Sequence, residues 1–215
     1  MFLTVFGQKG GVAKTCTSIH LACVWAQQGL SVCVVDADRN RSATAYAARG
    51  MLPFEVVPVE AAAKATRHAQ VIITDGQASS QEDELKNLSA GADLVLLPTT
   101  PQARSVELTV ELSSILRQMG TMHAALLVKV DNRKQRLAQE ARQILEGFDV
   151  DVMQAEIPLL AAFEKAEVEG VCVSDAVDDR GRADLRRMGG WAAYCQAAVQ
   201  IRDRLSAATP DAISA

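Results

Sequence analysis

The stretch Gly7-Gln8-Lys9-Gly10-Gly11-Val12-Ala13-Lys14-Thr15 admits few folds. A β-like apolar run, residues 2–6, leads straight into it, and a helix-like run, residues 16–28, leads straight out. Strand, glycine-rich turn and helix N-terminus, in that order, make a cradle for phosphate. Glycines let backbone N–H groups close around phosphate oxygens, and the helix dipole favours their charge. The spacing follows the general phosphate-loop pattern, except that Ala13 occupies the last glycine position before Lys14. Amides from Gly10, Gly11, Val12, Ala13, Lys14, Thr15 and Cys16 would surround the anion. The Lys14 ammonium would neutralise β- and γ-phosphate oxygens, and the Thr15 hydroxyl would serve Mg²⁺, a hard ion content with few protein ligands. A positive φ at Ala13 would strain it by about 1 kcal/mol. Lys9 is a second lysine that an ordinary phosphate loop does not need.

Downstream, strand and helix signals alternate. Apolar strand runs occupy residues 31–36, 54–59, 70–75, 93–98, 124–130 and 151–157. Helical patterns occupy residues 42–49, 103–119, 134–146, 161–167 and 183–205. Ser42 is the expected N-cap of the first of these, and Gly50 its stop. Near-continuous apolar strands between helices predict a doubly wound, mostly parallel α/β sheet with helices on both faces. Residues 1–205 read as one domain and residues 206–215 as a frayed tail. In such sheets ligands sit beyond the carboxyl ends of the strands. Asp75 ends one strand and would hold Mg²⁺. Asp36 and Asp38 end another: Asp36 is placed for the metal or for loop structure, and Asp38, further out, to orient an attacking water.

Composition excludes several classes. No run reaches membrane-spanning length, and no export signal is visible at the N-terminus. The five cysteines are scattered without CxxC spacing, which reads as free thiols in a reducing cytoplasm rather than a disulfide framework or metal site. The three histidines are isolated and read as structural or surface residues. Net charge is −4, yet residues 180–205 carry six arginines against two aspartates. Arg182, Arg186 and Arg187 fall close enough to share a helix face, the local field a polyanion would meet.

These motifs resemble the ParA/MinD group of deviant Walker-A ATPases. Lys9 to Thr15 follows its Lys-Gly-Gly-x-x-Lys-[Thr/Ser] signature, Asp36 and Asp38 its Asp-x-Asp, and Asp75 its strand-terminal aspartate. Leu97-Pro98-Thr99-Thr100-Pro101 is similar to its proline turn, and Ile157-Pro158 to its late nucleotide-side segment. Arg39-Asn40 replaces the common Pro-Gln, and Gly76-Gln77 stands where many relatives carry prolines. The resemblance implies a Mg²⁺-dependent ATP hydrolase that pairs face to face with a second copy, with Lys9 reaching the partner's phosphates. It implies an adenine site at Pro158 and Leu159, non-specific DNA binding through the late arginines, and a ParB-type adaptor that stimulates hydrolysis. Plasmid segregation is the use it implies first, in a nucleoid-associated cytoplasmic protein, with positioning of a protein cargo such as carboxysomes by the same chemistry beside it. The tail lacks the basic and bulky apolar faces of the family's membrane-binding members. A metabolic synthetase on this fold would need insertions or a second domain; a binding module without hydrolysis is the alternative if Arg39-Asn40 disables the water-positioning segment. A dimer-bridging iron–sulfur cluster is disfavoured by the late, separated Cys172 and Cys195.

Overall fold

The apolar runs assemble into one sheet. The computed structural model describes residues 1–77, 82–177 and 185–208. Its strands are β1 (Phe2–Val5), β2 (Val32–Asp36), β3 (Glu55–Pro58), β4 (Val71–Asp75), β5 (Leu94–Thr99), β6 (His123–Val130) and β7 (Val152–Pro158). They lie in the order β3-β2-β4-β1-β5-β6-β7, and every pairing is parallel. The helices are α1 (Lys14–Gln27), α2 (Ser42–Ala47), α3 (Ala62–Ala65), α4 (Glu82–Ser89), α5 (Ala103–Gln118), α6 (Gln135–Gly147), α7 (Ala161–Glu169) and α8 (Leu185–Ala208).

Strand alternation sorts side chains into two layers. Leu94 and Leu96 of β5 join Ile19, Leu21 and Trp25 of α1 and Tyr194 and Ile201 of α8 in the larger core. Val95 and Leu97, one step out of phase, join Phe6, Leu85 of α4 and Leu112 and Leu116 of α5 on the other face. α6 covers Ala125, Leu127 and Val152 beside them. Burying each Leu, Ile, Val or Phe among them contributes about 1.5–3 kcal/mol. α1 has little amphipathic character because α8 covers the side that the sheet does not; residues 17–25 are buried throughout.

Local expectations are corrected in several places. Ser42 does not cap α2: Arg41 holds that position at φ 54°, and the Asp36 carboxylate accepts from the Thr44 backbone N–H at 2.8 Å. A carboxylate already anchored at the end of β2 caps the turn better than a flexible neighbouring hydroxyl. Gly50 does not end α2 with a left-handed turn; it allows backbone contact with Gly170, where an added Cβ would lie 2.3 Å from a carbonyl oxygen. α3 and α4 were not expected. α8 runs to Ala208, beyond the anticipated boundary at residue 205, and residues 209–215 lie outside the described set.

The cysteine reading is also corrected. Cys23 of α1 and Cys172, in the turn after α7, form a disulfide with their Cα atoms 6.1 Å apart. They are 149 residues apart in sequence, and only assembly of the layers makes them neighbours. Cys16, Cys33 and Cys195 are free.

Candidate nucleotide-binding site

Strand register delivers the acids to the loop. Val5, near the end of β1, pairs with Asp75 of β4, and Asp75 pairs with Asp36 of β2. Both carboxylates therefore end their strands where the chain leaves β1 for the glycine turn. Asp75 is fully buried and accepts two hydrogen bonds from α1: Thr15 Oγ1 donates to Oδ2 at 2.7 Å and Ser18 Oγ to Oδ1 at 2.8 Å. Burial outweighs those bonds and pushes its carboxyl up to about 6. Asp36 uses its oxygens within its own loop. Oδ2 accepts from the N–H and hydroxyl of Thr44, at 2.8 and 2.7 Å, and Oδ1 from the Asp38 N–H at 3.2 Å. Asp38, held by that bond, lines the cleft.

The loop turns through left-handed backbone at Gly11 (φ 77°) and Ala13 (φ 59°). The irregularity read from the sequence is thus a strained residue, immediately before α1. Lys14 follows, nearly buried, with Nζ donating to the Lys9 carbonyl at 3.2 Å. Burial lowers its pKa, against the attraction of Asp75 and Asp38. An ammonium so desolvated gains much from a phosphate oxygen. Val12 faces the core instead and can offer only its backbone.

A cleft of about 480 Å³ extends from this loop, within the size range of small-ligand sites. Gly10, Gly11, Ala13, Lys14, Thr15 and Cys16 form one end; Pro158 and Leu159, at the end of β7, lie at another, with Lys129 of β6 beside them. The structure thus brings together most of the residues singled out in the sequence. Lys9 is absent from the lining: its Nζ donates outside the cleft to Gln102 Oε1 at 2.8 Å. Asp36 and Asp75 lie beneath the surface.

Sequence reasoning missed an aromatic wall. Tyr46 of α2, Phe163 of α7 and Tyr194 of α8 line the cleft. The chain has two tyrosines, and both are here. Rarity of aromatics was the one available signal. Behind them His20 stacks on Tyr194 with ring centres 5.2 Å apart and meets Phe163 edge-on. Burial drives the His20 pKa down to about 4, and its Nε2 has no hydrogen-bond partner among the described residues. Cys16, in the same cluster, has its thiol pushed up to about 12 by burial and is held neutral.

Oxygen donors suit Mg²⁺. Thr15 and Asp75 meet directly under the loop. Among the described residues no group of three or more His, Cys, Asp or Glu side chains is placed to hold a metal, which suits an ion that draws further ligands from phosphate and water. No helix among the described residues is long and apolar enough to cross a membrane. Of the late arginines, Arg182 lies outside the described residues, as does the side chain of Arg186. Arg187 is half-buried and donates to the Ala176 carbonyl. Arg204 is also committed, donating to Asp151 at 2.6 and 2.8 Å.

A hydroxyl and a buried carboxylate joined beneath a glycine loop, at the central strand of a parallel sheet, define a phosphate-loop nucleotide-binding protein. Residues 3–173 match the family described as the CobQ/CobB/MinD/ParA nucleotide binding domain, and the chain belongs to that family of phosphate-loop ATPases. The chain is 30% identical over 200 residues to the maintenance of carboxysome distribution protein A of Gloeobacter kilaueensis, covering 86% of this chain and 91% of that protein. Its fold superposes on the MinD cell division protein of Aquifex aeolicus with a TM-score of 0.73, at 15% identity over 94% of this chain and 96% of that one. A plasmid partition protein of Borrelia burgdorferi, bound to AMPPNP, matches with a TM-score of 0.70, at 15% identity over 94% and 98%.

Proposed function

We propose that the protein is a Mg²⁺-dependent ATP hydrolase that works as a switch, pairing two copies face to face when ATP is bound. The observation that carries this reading is the placement of its two loop lysines. Lys14 lines its own cleft, whereas Lys9, five residues earlier, holds its ammonium outside it. A cation beside a phosphate site but not in it is suited to a second site brought against the first. There it would stabilise charge that develops during phosphoryl transfer.

The remaining roles follow from position. Thr15 and Asp75 would hold Mg²⁺, which neutralises β- and γ-oxygens when bound. Asp36 supports this site through its loop, fixing Asp38 and Thr44. Asp38 would orient the attacking water. The Gly10–Cys16 amides would cradle the phosphates, and Pro158 and Leu159 would flank the base. The left-handed turn at Ala13 would help aim those amides at the phosphates.

The named relatives support a use in positioning cargo, whether a plasmid or a protein body such as a carboxysome. Plasmid segregation with a ParB-type adaptor and non-specific DNA as track is the reading first implied by the motifs. Its DNA contacts would be Arg182, Arg186 and Arg187. Arg187 is the weakest member of that set, since its guanidinium is already engaged.

The test is ATP turnover and light scattering on the intact chain, with and without non-specific duplex DNA. ATP-dependent pairing, lost in Lys9→Ala with ADP binding retained, supports the switch. A Lys9→Ala protein that pairs normally with ATP removes it. DNA retention that survives Arg182→Ala/Arg186→Ala/Arg187→Ala excludes that patch.

A further inference from the structure

Gln102 stands at the N-cap position of α5, yet its side chain caps nothing. Its amide reaches instead to the phosphate loop, where Oε1 accepts from Lys9 Nζ at 2.8 Å across 93 residues of sequence. The Lys9 carbonyl in turn accepts from Lys14 Nζ at 3.2 Å. The Lys9 ammonium is thus tied to the head of α5, while the Lys14 ammonium is tied to the Lys9 main chain.

Electrostatics favour an acceptor here. The N-terminus of α5 carries partial positive charge, which opposes a nearby ammonium and is offset by an intervening oxygen. Gln102 Oε1 is that oxygen. Gln102 is exposed and Lys9 half-buried, so the bond can open without disturbing the core.

We infer that Gln102 is a latch that parks Lys9 against its own subunit and so sets the threshold for ATP-dependent pairing. The inference rests on the reading of Lys9 as a residue that acts across the pair. Gln102 is a positioning residue: it acts through Lys9 and touches no reacting atom. For Lys9 to reach a partner's phosphates the bond must break in both copies, so its contribution enters twice. One solvent-exposed polar contact to an ammonium shifts an equilibrium by a factor of about three, and two copies make it about tenfold.

Two substitutions pull the latch in opposite directions. Gln102→Ala removes the acceptor and frees Lys9. Gln102→Glu supplies a carboxylate, which suits both the ammonium and the α5 N-terminus. The experiment measures the dimer dissociation constant of the full chain with Mg²⁺ and AMPPNP by analytical ultracentrifugation, together with ADP affinity and melting temperature. Gln102→Ala is expected to tighten pairing about tenfold, and Gln102→Glu to weaken it about as much while melting at a higher temperature. A merely structural role would move stability and pairing in the same direction. ADP affinity is expected to stay unchanged in both. If both variants pair like the wild type while Lys9→Ala does not pair, the latch is wrong and the action of Lys9 across the pair stands. If Lys9→Ala pairs normally, the underlying reading fails first.

Discussion

Thr15 donates its hydroxyl hydrogen to Oδ2 of Asp75 at 2.7 Å, which ties the head of α1 to the end of β4. That bond places a buried carboxylate where Mg²⁺ would need one, at a cost to the fold. Burial raises the Asp75 carboxyl to about 6 from its ordinary 3.8. Above pH 6 the protein holds an expensive charge in its interior; below, it holds a proton that the unfolded chain releases down to pH 4. The contribution of Asp75 to stability is thus fully present below the unfolded pKa and is lost as pH rises through 6. Asp75→Asn should raise the stability of the nucleotide-free protein at pH 7.5 by about 1–2 kcal/mol, part of the gain being offset by an amide N–H with no acceptor. The same variant should lose Mg²⁺-dependent nucleotide binding. Denaturant melts and calorimetric titration with Mg-ADP check both halves. A less stable variant that still binds Mg-ADP would contradict the assignment.

Ala13 is strained by its left-handed backbone, at φ 59°. Ala13→Gly should relieve about 1–2 kcal/mol in the folded loop, and the greater freedom of glycine in the unfolded chain takes back about half. The expected net is a rise in melting temperature of about 2 °C with nucleotide binding retained. Ala13→Val should move stability the other way, because a β-branched side chain tolerates this region worse. Identical melting curves for the three proteins would mean that the turn is not held left-handed in solution.

Gly170 meets two demands at once: φ is 66°, and an added Cβ would lie 2.3 Å from the Gly50 nitrogen. The contact locks the end of α2 to the end of α7, the helices that carry Tyr46 and Phe163 to the cleft. Gly170→Ala should therefore cost about 3 kcal/mol or more, a fall of roughly 10 °C, and should weaken nucleotide binding. Gly147→Ala is the control: among the described residues its Cβ meets nothing within 4 Å, and the change should be neutral or slightly stabilising. Equal behaviour of the two variants would refute the close approach.

The contrast among these residues shows what the sequence disclosed and what it withheld. The loop, the strands and the carboxylates were legible because each is a local pattern, and a parallel sheet puts strand ends together whatever the details. Thr15 and Asp75 could be paired on that ground alone. Tyr46, Phe163 and Tyr194 could not, since they come from three helices whose meeting depends on the Gly50–Gly170 contact and on packing against α1. Ala13 showed that something was unusual without showing the sign of φ. Cys23 and Cys172 looked like free thiols because spacing carries no signal when a pair is formed by layers rather than by neighbours. The arginine cluster illustrates the opposite failure. Charge counted along the chain treats Arg187 and Arg204 as free, whereas Ala176 and Asp151 have already claimed them.

His20 gives the last prediction, because it opposes Asp75. Its ring is stacked on Tyr194, Nδ1 lies 2.7 Å from the Cys16 carbonyl, and Nε2 is buried without a partner among the described residues. A proton added at Nε2 would place an unpaired charge among aromatics, so the folded pKa falls to about 4 from 6.5. Its contribution to stability is therefore lost as pH falls from 6.5 through 4, by about 3 kcal/mol in all. Asp75 gains over nearly the same interval, from 6 down to about 4. The two slopes nearly cancel, and the wild type should show little pH dependence from this pair. His20→Phe preserves the stacked ring and removes the titration. It should leave the Asp75 slope uncovered, so that the difference in unfolding free energy from wild type grows in the variant's favour as pH is lowered from 6.5 to 4. Asp75→Asn should show the reverse trend, and the double variant should be flat again. Parallel stability curves for His20→Phe and wild type across that interval would mean that His20 takes up its proton in the folded protein as readily as in the unfolded chain, and that the aromatic cluster behind the cleft is open to water.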